Sequence, residues 1–145
     1  MASSASGASP EVAEDTSGVI TKTSPRSVAE TVSRFVEMLH EKEIEVFTVI
    51  DHSGEARRVG LDLRDTKLVV FGNPKAGTPV MQLAPLAALD LPLKVLVWDD
   101  DGQTQVSYTA PRTLTARYGL TGEQIAPLEV IGPLTDALVA QPTGE

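Results

Sequence analysis

The dipeptide Asp101-Gly102 constrains this chain more than any other feature. It separates a β-rich apolar run, Leu93 to Trp98 (LKVLVW), from a second extended run, Gln103 to Thr109. Asp-Gly supplies the positive backbone angles of a two-residue hairpin, whose twist matches that of the strands it joins. The second run therefore returns antiparallel to the first, and the sheet is at least partly antiparallel.

Other strands follow from composition. Ile44 to Ile50 (IEVFTVI) is apolar on both faces and reads as an internal strand. Lys67 to Phe71 (KLVVF) is another, and Val19 to Thr21 begins the ordered chain with a short one. Between them lies a strong helix start. Ser27 caps, and Glu30 three residues on completes a capping box. Val28, Val32, Phe35 and Leu39 recur at helical spacing, so one face is apolar to about Lys42. The polar stretch from Glu55 to Asp65 crosses to the next strand as a helical turn or an edge strand. Gly72 to Gly77 reads as a loop, with Thr78 as cap and Pro79 at the first position of a short helix that Pro85 interrupts. Gly119 reads as a helix C-cap. Pro127, Gly132 and Pro133 break the remainder, leaving a last helix near Leu134 to Ala140. The order is β-α-β-β-(short α)-β-β-α. The fold class is α+β, with a mostly antiparallel sheet and helices packed on one face.

A length of 145 residues suits one core. Residues 1–17 are rich in Ala, Ser, Gly and acids and read as a disordered tail, 18–140 as the domain, and 141–145 as a second tail. No apolar run reaches the roughly 18 residues of a membrane helix, and the first residues lack a secretory pattern. The expectation is a soluble, cytoplasmic chain. The absence of cysteine excludes disulfides and thiolate chemistry, and with only two histidines, His40 and His52, no His-rich metal site is expected. The net charge of −8, with scattered bases, argues against nucleic acid and against anionic membranes.

Three stretches carry a resemblance: Val46 to His52 (VFTVIDH), Leu68 to Gln82 (LVVFGNPKAGTPVMQ) and Ala88 to Trp98 (ALDLPLKVLVW). Together with the Thr21-Lys22-Thr23-Ser24 start and the Ser27 to Glu30 helix entry, they resemble the domain-of-unknown-function family 302 over roughly residues 18–120. The resemblance implies a compact α+β fold and a homodimer, and it carries no established activity. Glu43, Tyr118 and the Gly54, Arg57 and Arg58 crossover depart from it, Tyr118 standing where a histidine is expected.

Two loops are candidate sites. In the first, Gly72 to Thr78, a strand enters and a helix N-terminus leaves. Free N–H groups and the helix dipole suit an anion there, with Asn73, Lys75, Gly77 and Thr78 as ligand-binding residues. The missing lysine after Gly77 excludes a P-loop. In the second, Asp51-His52 ends a strand, and His52 is a candidate ligand or general acid/base. Asp90, in an apolar stretch, is the second catalytic candidate, provided it approaches His52 or Lys75. Met81 and Trp98 read as core, and Asp99 to Gly102 as a solvated hairpin tip. The leading expectation is a binding or sensor module for an anionic or carboxylate-bearing small molecule, with no cofactor and no metal. The alternatives are a small enzyme using His52, with Asp90 or Asp51 orienting it, and a structural or protein-interaction subunit.

Overall fold

The computed structural model of the chain describes residues 12–15 and 17–141. Its strands are β1 (Val12–Glu14), β2 (Val19–Ser24), β3 (Glu45–Asp51), β4 (Thr66–Gly72), β5 (Leu93–Asp100) and β6 (Gln103–Thr109). Its helices are α1 (Val28–Glu41), α2 (His52–Arg58), α3 (Pro74–Leu83), α4 (Thr113–Tyr118), α5 (Gly122–Ile125) and α6 (Ile131–Val139). Short 3₁₀ turns cover Pro85–Leu89 and Ala126–Val130.

The strands form one six-stranded sheet in the order β1-β2-β6-β5-β4-β3. Every neighbouring pair is antiparallel. The hairpin forms as expected. Asp101 and Gly102 take φ of +56° and +94°, and Asp100 pairs with Gln103 across them. The register places Val69, Phe71, Val95, Val97, Val106 and Tyr108 on one face, since alternate residues share a side. α1 covers that face with Val28, Val32, Phe35, Met38 and Leu39, at the spacing read from the sequence. Ser27 and Glu30 make the capping box that starts α1. Burial of each such side chain contributes roughly 1.5–3 kcal/mol. Phe35 meets Phe71 edge-on, ring centres 5.2 Å apart. α6 completes the layer with Ile131, Leu134, Leu138 and Val139. The main core thus lies on one face, between the sheet and helices α1 and α6. On the other face Leu68, Leu96 and Trp98 are half-buried, and the Trp98 indole donates to Ser107 Oγ at 3.0 Å.

Lys22 stands on the covered face yet is almost wholly buried. Its ammonium donates to Gly132 O (3.1 Å) and Thr135 Oγ1 (2.7 Å), pairs with Asp136 (2.8 Å), and lies 5.2 Å from the centre of the Tyr108 ring. It ties β2 to α6.

A second, smaller cluster holds Val80, Ala87, Leu114, Leu120, Ile125 and Leu128, gathered from α3, α4, α5 and the 3₁₀ turns. Leu93 packs against both clusters.

Four expectations change. β3 is the outermost strand, not an internal one, because α2 carries the chain back to β4 on its inner side. α2 itself occupies the start of the crossover, capped by Asp51. α3 starts at Pro74 rather than Pro79. Asn73 accepts from the Lys75 N–H at 2.9 Å, Pro74 takes the first helical position, and the helix continues through Pro79. The last helix begins at Ile131 and takes in Gly132 and Pro133, which sit in its first turn, where proline is tolerated. Of the stretch read as an N-terminal tail, residues 1–11 and 16 lie outside the described residues. Within it Val12–Glu14 pairs with β2, and Glu14 forms an ion pair with Arg112. Residues 142–145 also lie outside. Gly119 closes α4 at φ +69°, as its position suggested.

Candidate functional site

The seam between the two clusters is not filled. It holds a cavity of about 530 Å³, within the range usual for small-molecule sites. Ile44, Phe47, Phe71 and Leu93 form the wall on the main-core side. Met81 from α3, Leu91, Leu128 and Val130 form the wall on the other. The lining is mostly apolar. Polar groups come from one stretch, Asn73 to Thr78, where β4 turns into α3.

Asn73, Lys75, Gly77 and Thr78 therefore all line one cavity. The anion cradle expected of them is absent. Pro74 has no N–H. The Lys75 N–H goes to the Asn73 side chain, and those of Ala76 (2.8 Å) and Gly77 (3.0 Å) go to the Asn73 carbonyl. The early start of α3 uses internally the amides a looser loop would leave open. The polar side chains among the lining residues are those of Asn73, Lys75 and Thr78. Among the described residues no ion pair includes Lys75. Met81, expected in the core, is a half-buried wall of this cavity.

His52 does not join them. β3 and β4 run antiparallel, with Glu45 opposite Gly72 and Asp51 opposite Lys67. The cavity loop lies at one end of this pair and His52 at the other, six residues away along the strand, or roughly 20 Å at the usual rise. His52 is exposed at the first position of α2. Its neighbour Asp51 is spent on the cap, accepting from Ser53 Oγ (2.7 Å) and the Gly54 N–H (2.9 Å). Those bonds, Ser53 first, hold the Asp51 carboxyl below its ordinary range. Neither Asp51 nor Asp90 orients His52.

Asp90 follows the Pro85–Leu89 turn and is engaged elsewhere. It accepts from the Tyr118 hydroxyl at 2.5 Å and from Arg117 at 3.0 and 3.1 Å. The Tyr118 bond, then the Arg117 guanidinium, hold the Asp90 carboxyl below its ordinary range. The same bond pushes the Tyr118 phenol up. Asp90 lines a second cavity, of about 430 Å³, with Lys94, Thr113 and Arg117. The Lys94 ammonium is itself held by the Asp90 and Pro92 carbonyls. Tyr118 takes up the carboxylate that sequence reasoning offered to His52. Phe47 and Leu128 complete the main cavity from positions with no local signal. Among the described residues no three His, Asp and Glu side chains gather in a way that could hold a metal ion.

Residues 20–138 match the sequence profile of a family described as Domain of unknown function DUF302. The chain belongs to that family. A solved structure described as an uncharacterized conserved protein DUF302 from Bacillus stearothermophilus shares its fold. The TM-score is 0.72 and the identity 22%, over 84% of this chain and 95% of that one. Two curated relatives, from Brucella suis and Brucella abortus, are each 39% identical over 105 residues. Each is named Fluoride-specific ion channel FluC 1. The match takes in 72% of this DUF302 chain but only 41% and 39% of those proteins, so the chain spans about two fifths of their length. Among its own described residues no helix is long and apolar enough to cross a membrane.

Proposed function

We propose that this DUF302 domain is a binding module for one small molecule that has an apolar body and a single carboxylate. The observation that carries the reading is the cavity between the two hydrophobic clusters. Its walls are Ile44, Phe47, Phe71, Met81, Leu91 and Leu93, and its polar groups lie together at the Asn73–Thr78 end. Apolar walls with a few polar groups at one place are what orient a small ligand. The body of the ligand takes the walls, and its carboxylate meets the Lys75 ammonium and the Thr78 hydroxyl. A bare inorganic anion is a poor fit, because the first amides of α3 already have acceptors. The catalytic alternative lacks a constellation, since His52 and Asp90 have separate surroundings.

Thermal stabilisation by a series of alkyl and aryl carboxylates tests the reading, each acid paired with its corresponding alcohol. Saturable stabilisation that grows with apolar length is expected, with acids ahead of alcohols. Lys75→Ala should remove the acid's advantage, about three- to fivefold for one exposed charge pair, and leave the alcohols unchanged. Stabilisation by inorganic anions alone, or equal effects in Lys75→Ala, would sink it.

The relatives support a second reading, in which the domain works beside a fluoride channel. Melting in sodium fluoride against sodium chloride at matched ionic strength tests it. Identical curves count against a fluoride site on the domain.

A further inference from the structure

We infer that the second cavity, floored by the sheet face opposite the main core, binds a small hydroxylated monocarboxylate of the sugar-acid kind. Its volume of about 430 Å³ lies within the range of small-molecule sites. The floor follows from register. Leu68 lies opposite Leu96, and Leu96 opposite Ser107, so the three form one row across β4, β5 and β6. Lys94 and Thr109 share that face, each two residues from a member of the row. Val19 of β2 lies opposite Thr109. α4 supplies a wall, where Thr113 and Arg117, four residues apart, stand on one side of the helix and line the cavity.

Charge sets the ionic group of the ligand. The charged lining residues are Asp90, Lys94 and Arg117, which leave the cavity one positive charge on a chain of −8. Asp90 is already engaged by Tyr118 and Arg117, so the surplus is that of Lys94. Lys94 is half-buried, and its ammonium rests on two neutral carbonyls, Asp90 O (3.3 Å) and Pro92 O (3.0 Å). Among the described residues no carboxylate forms an ion pair with it. A part-buried ammonium held by neutral acceptors alone favours an anion beside it. Arg117 reaches Asp90 through Nη1, and its other two nitrogens carry further N–H donors. Paired guanidinium N–H groups match the flat fork of a carboxylate.

The distribution of hydroxyls sets the body of the ligand. In the main cavity the polar side chains share one short stretch, whereas here they come from β5, β6 and α4. Thr109 lies on the floor and Thr113 on the wall. Thr113 donates to Ala110 O at 2.8 Å, which leaves its own oxygen as an acceptor. A plain alkyl chain would cover these groups without bonding them, at the cost of their hydration. A hydroxylated chain bonds them and lays its C–H face on Leu68 and Leu96. The second cavity therefore takes a different ligand from the main one, with the same kind of charged group.

Gluconate and hexanoate, two monocarboxylates of equal chain length, test this by amide NMR of the full chain at matched ionic strength. Gluconate should shift the amides of Lys94, Thr109, Thr113 and Arg117 saturably and leave Asn73 to Thr78 in place. Hexanoate should do the reverse if the main cavity binds as proposed above, so either reading can fail while the other stands. Arg117→Gln should weaken gluconate about fivefold or more, and Lys75→Ala should leave it unchanged. The absence of a saturable shift up to about 50 mM gluconate overturns the inference, since that excludes even millimolar affinity. So do gluconate shifts confined to Asn73–Thr78, and undiminished binding by a folded Arg117→Gln variant. If Arg117→Gln fails to fold, Thr109→Val at an exposed strand position decides. A loss of about threefold, the worth of one hydrogen bond, supports the site, and unchanged affinity overturns it.

Discussion

Replacing Gly77 separates the helix from the cavity it borders. Gly77 is the fourth residue of α3 and has no positive φ, so glycine is not needed there for conformation. A Cβ at this position would lie 3.8 Å from Met81 Cε and 3.9 Å from Leu91 Cδ1, ordinary contacts with two cavity-lining side chains. Gly77→Ala therefore adds helix propensity without a clash. The gain is roughly 0.5–1 kcal/mol, a rise of about 2–4 °C in melting temperature for a chain of this size. Gly77→Leu sends a larger group the same way, into the cavity, and fills on the order of a fifth of it. It should keep the fold and lower the affinity for the longest stabilising carboxylate by about tenfold or more. The assays are differential scanning fluorimetry for stability and calorimetric titration with that carboxylate for binding. Destabilisation by Gly77→Ala would refute the helical placement of Gly77. Undiminished binding by a folded Gly77→Leu variant would refute the cavity as the site.

Three further outcomes follow from features outside the cavity. Lys22→Met should cost under about 1 kcal/mol in chemical denaturation, because Thr135 keeps its own acceptors, Ile131 O and Gly132 O, and Asp136 is exposed. Lys22→Ala should cost about 2 kcal/mol or more through the cavity it opens. Ser27→Ala removes the cap of α1 and should cost about 1 kcal/mol, read as a lower denaturation midpoint. The Asp90–Tyr118 bond gives a pH dependence at both ends. Asp90 titrates below its ordinary 3.8 when folded, so its contribution is present above that value and is lost as pH falls through the lowered one. Tyr118 titrates above its ordinary 10.0, so its contribution is present below that value and is lost as pH rises through the raised one. Tyr118→Phe should flatten both limbs of a plot of melting temperature against pH, and a profile unchanged in the variant would rule the bond out as their cause.

Signals that act over a few residues were legible in the chain. Ser27 with Glu30, Asp101-Gly102 and Gly119 each fix a backbone conformation through their own chemistry, and each does so here. The start of α3 was ambiguous for a physical reason. Asn73-Pro74 and Thr78-Pro79 are both a capping residue followed by a proline, and local chemistry does not choose between them. The polar members of the cavity were legible because they share one short stretch. Its walls were not, because Phe47, Met81 and Leu128 meet only once the two clusters are stacked. Asp90 was rightly singled out as needing a partner. Tyr118, twenty-eight residues on, carries no mark that it is that partner. The outer position of β3 depends on strand order, which composition does not encode.

The seating of β2 between β1 and β6 has a consequence for how the chain is made. β3, β4, β5 and β6 each pair with the strand that follows or precedes them, so this meander can assemble as it leaves the ribosome. β2 pairs with β6 from Val19–Thr109 to Ser24–Thr104, across eighty to ninety residues. At ordinary rates of synthesis β2 waits roughly 5–15 s for that partner. A nascent chain that ends at Asp100 and is extended by a linker long enough to clear the ribosomal exit tunnel should carry a paired β3-β4-β5 meander while β2, made long before, still has an open side.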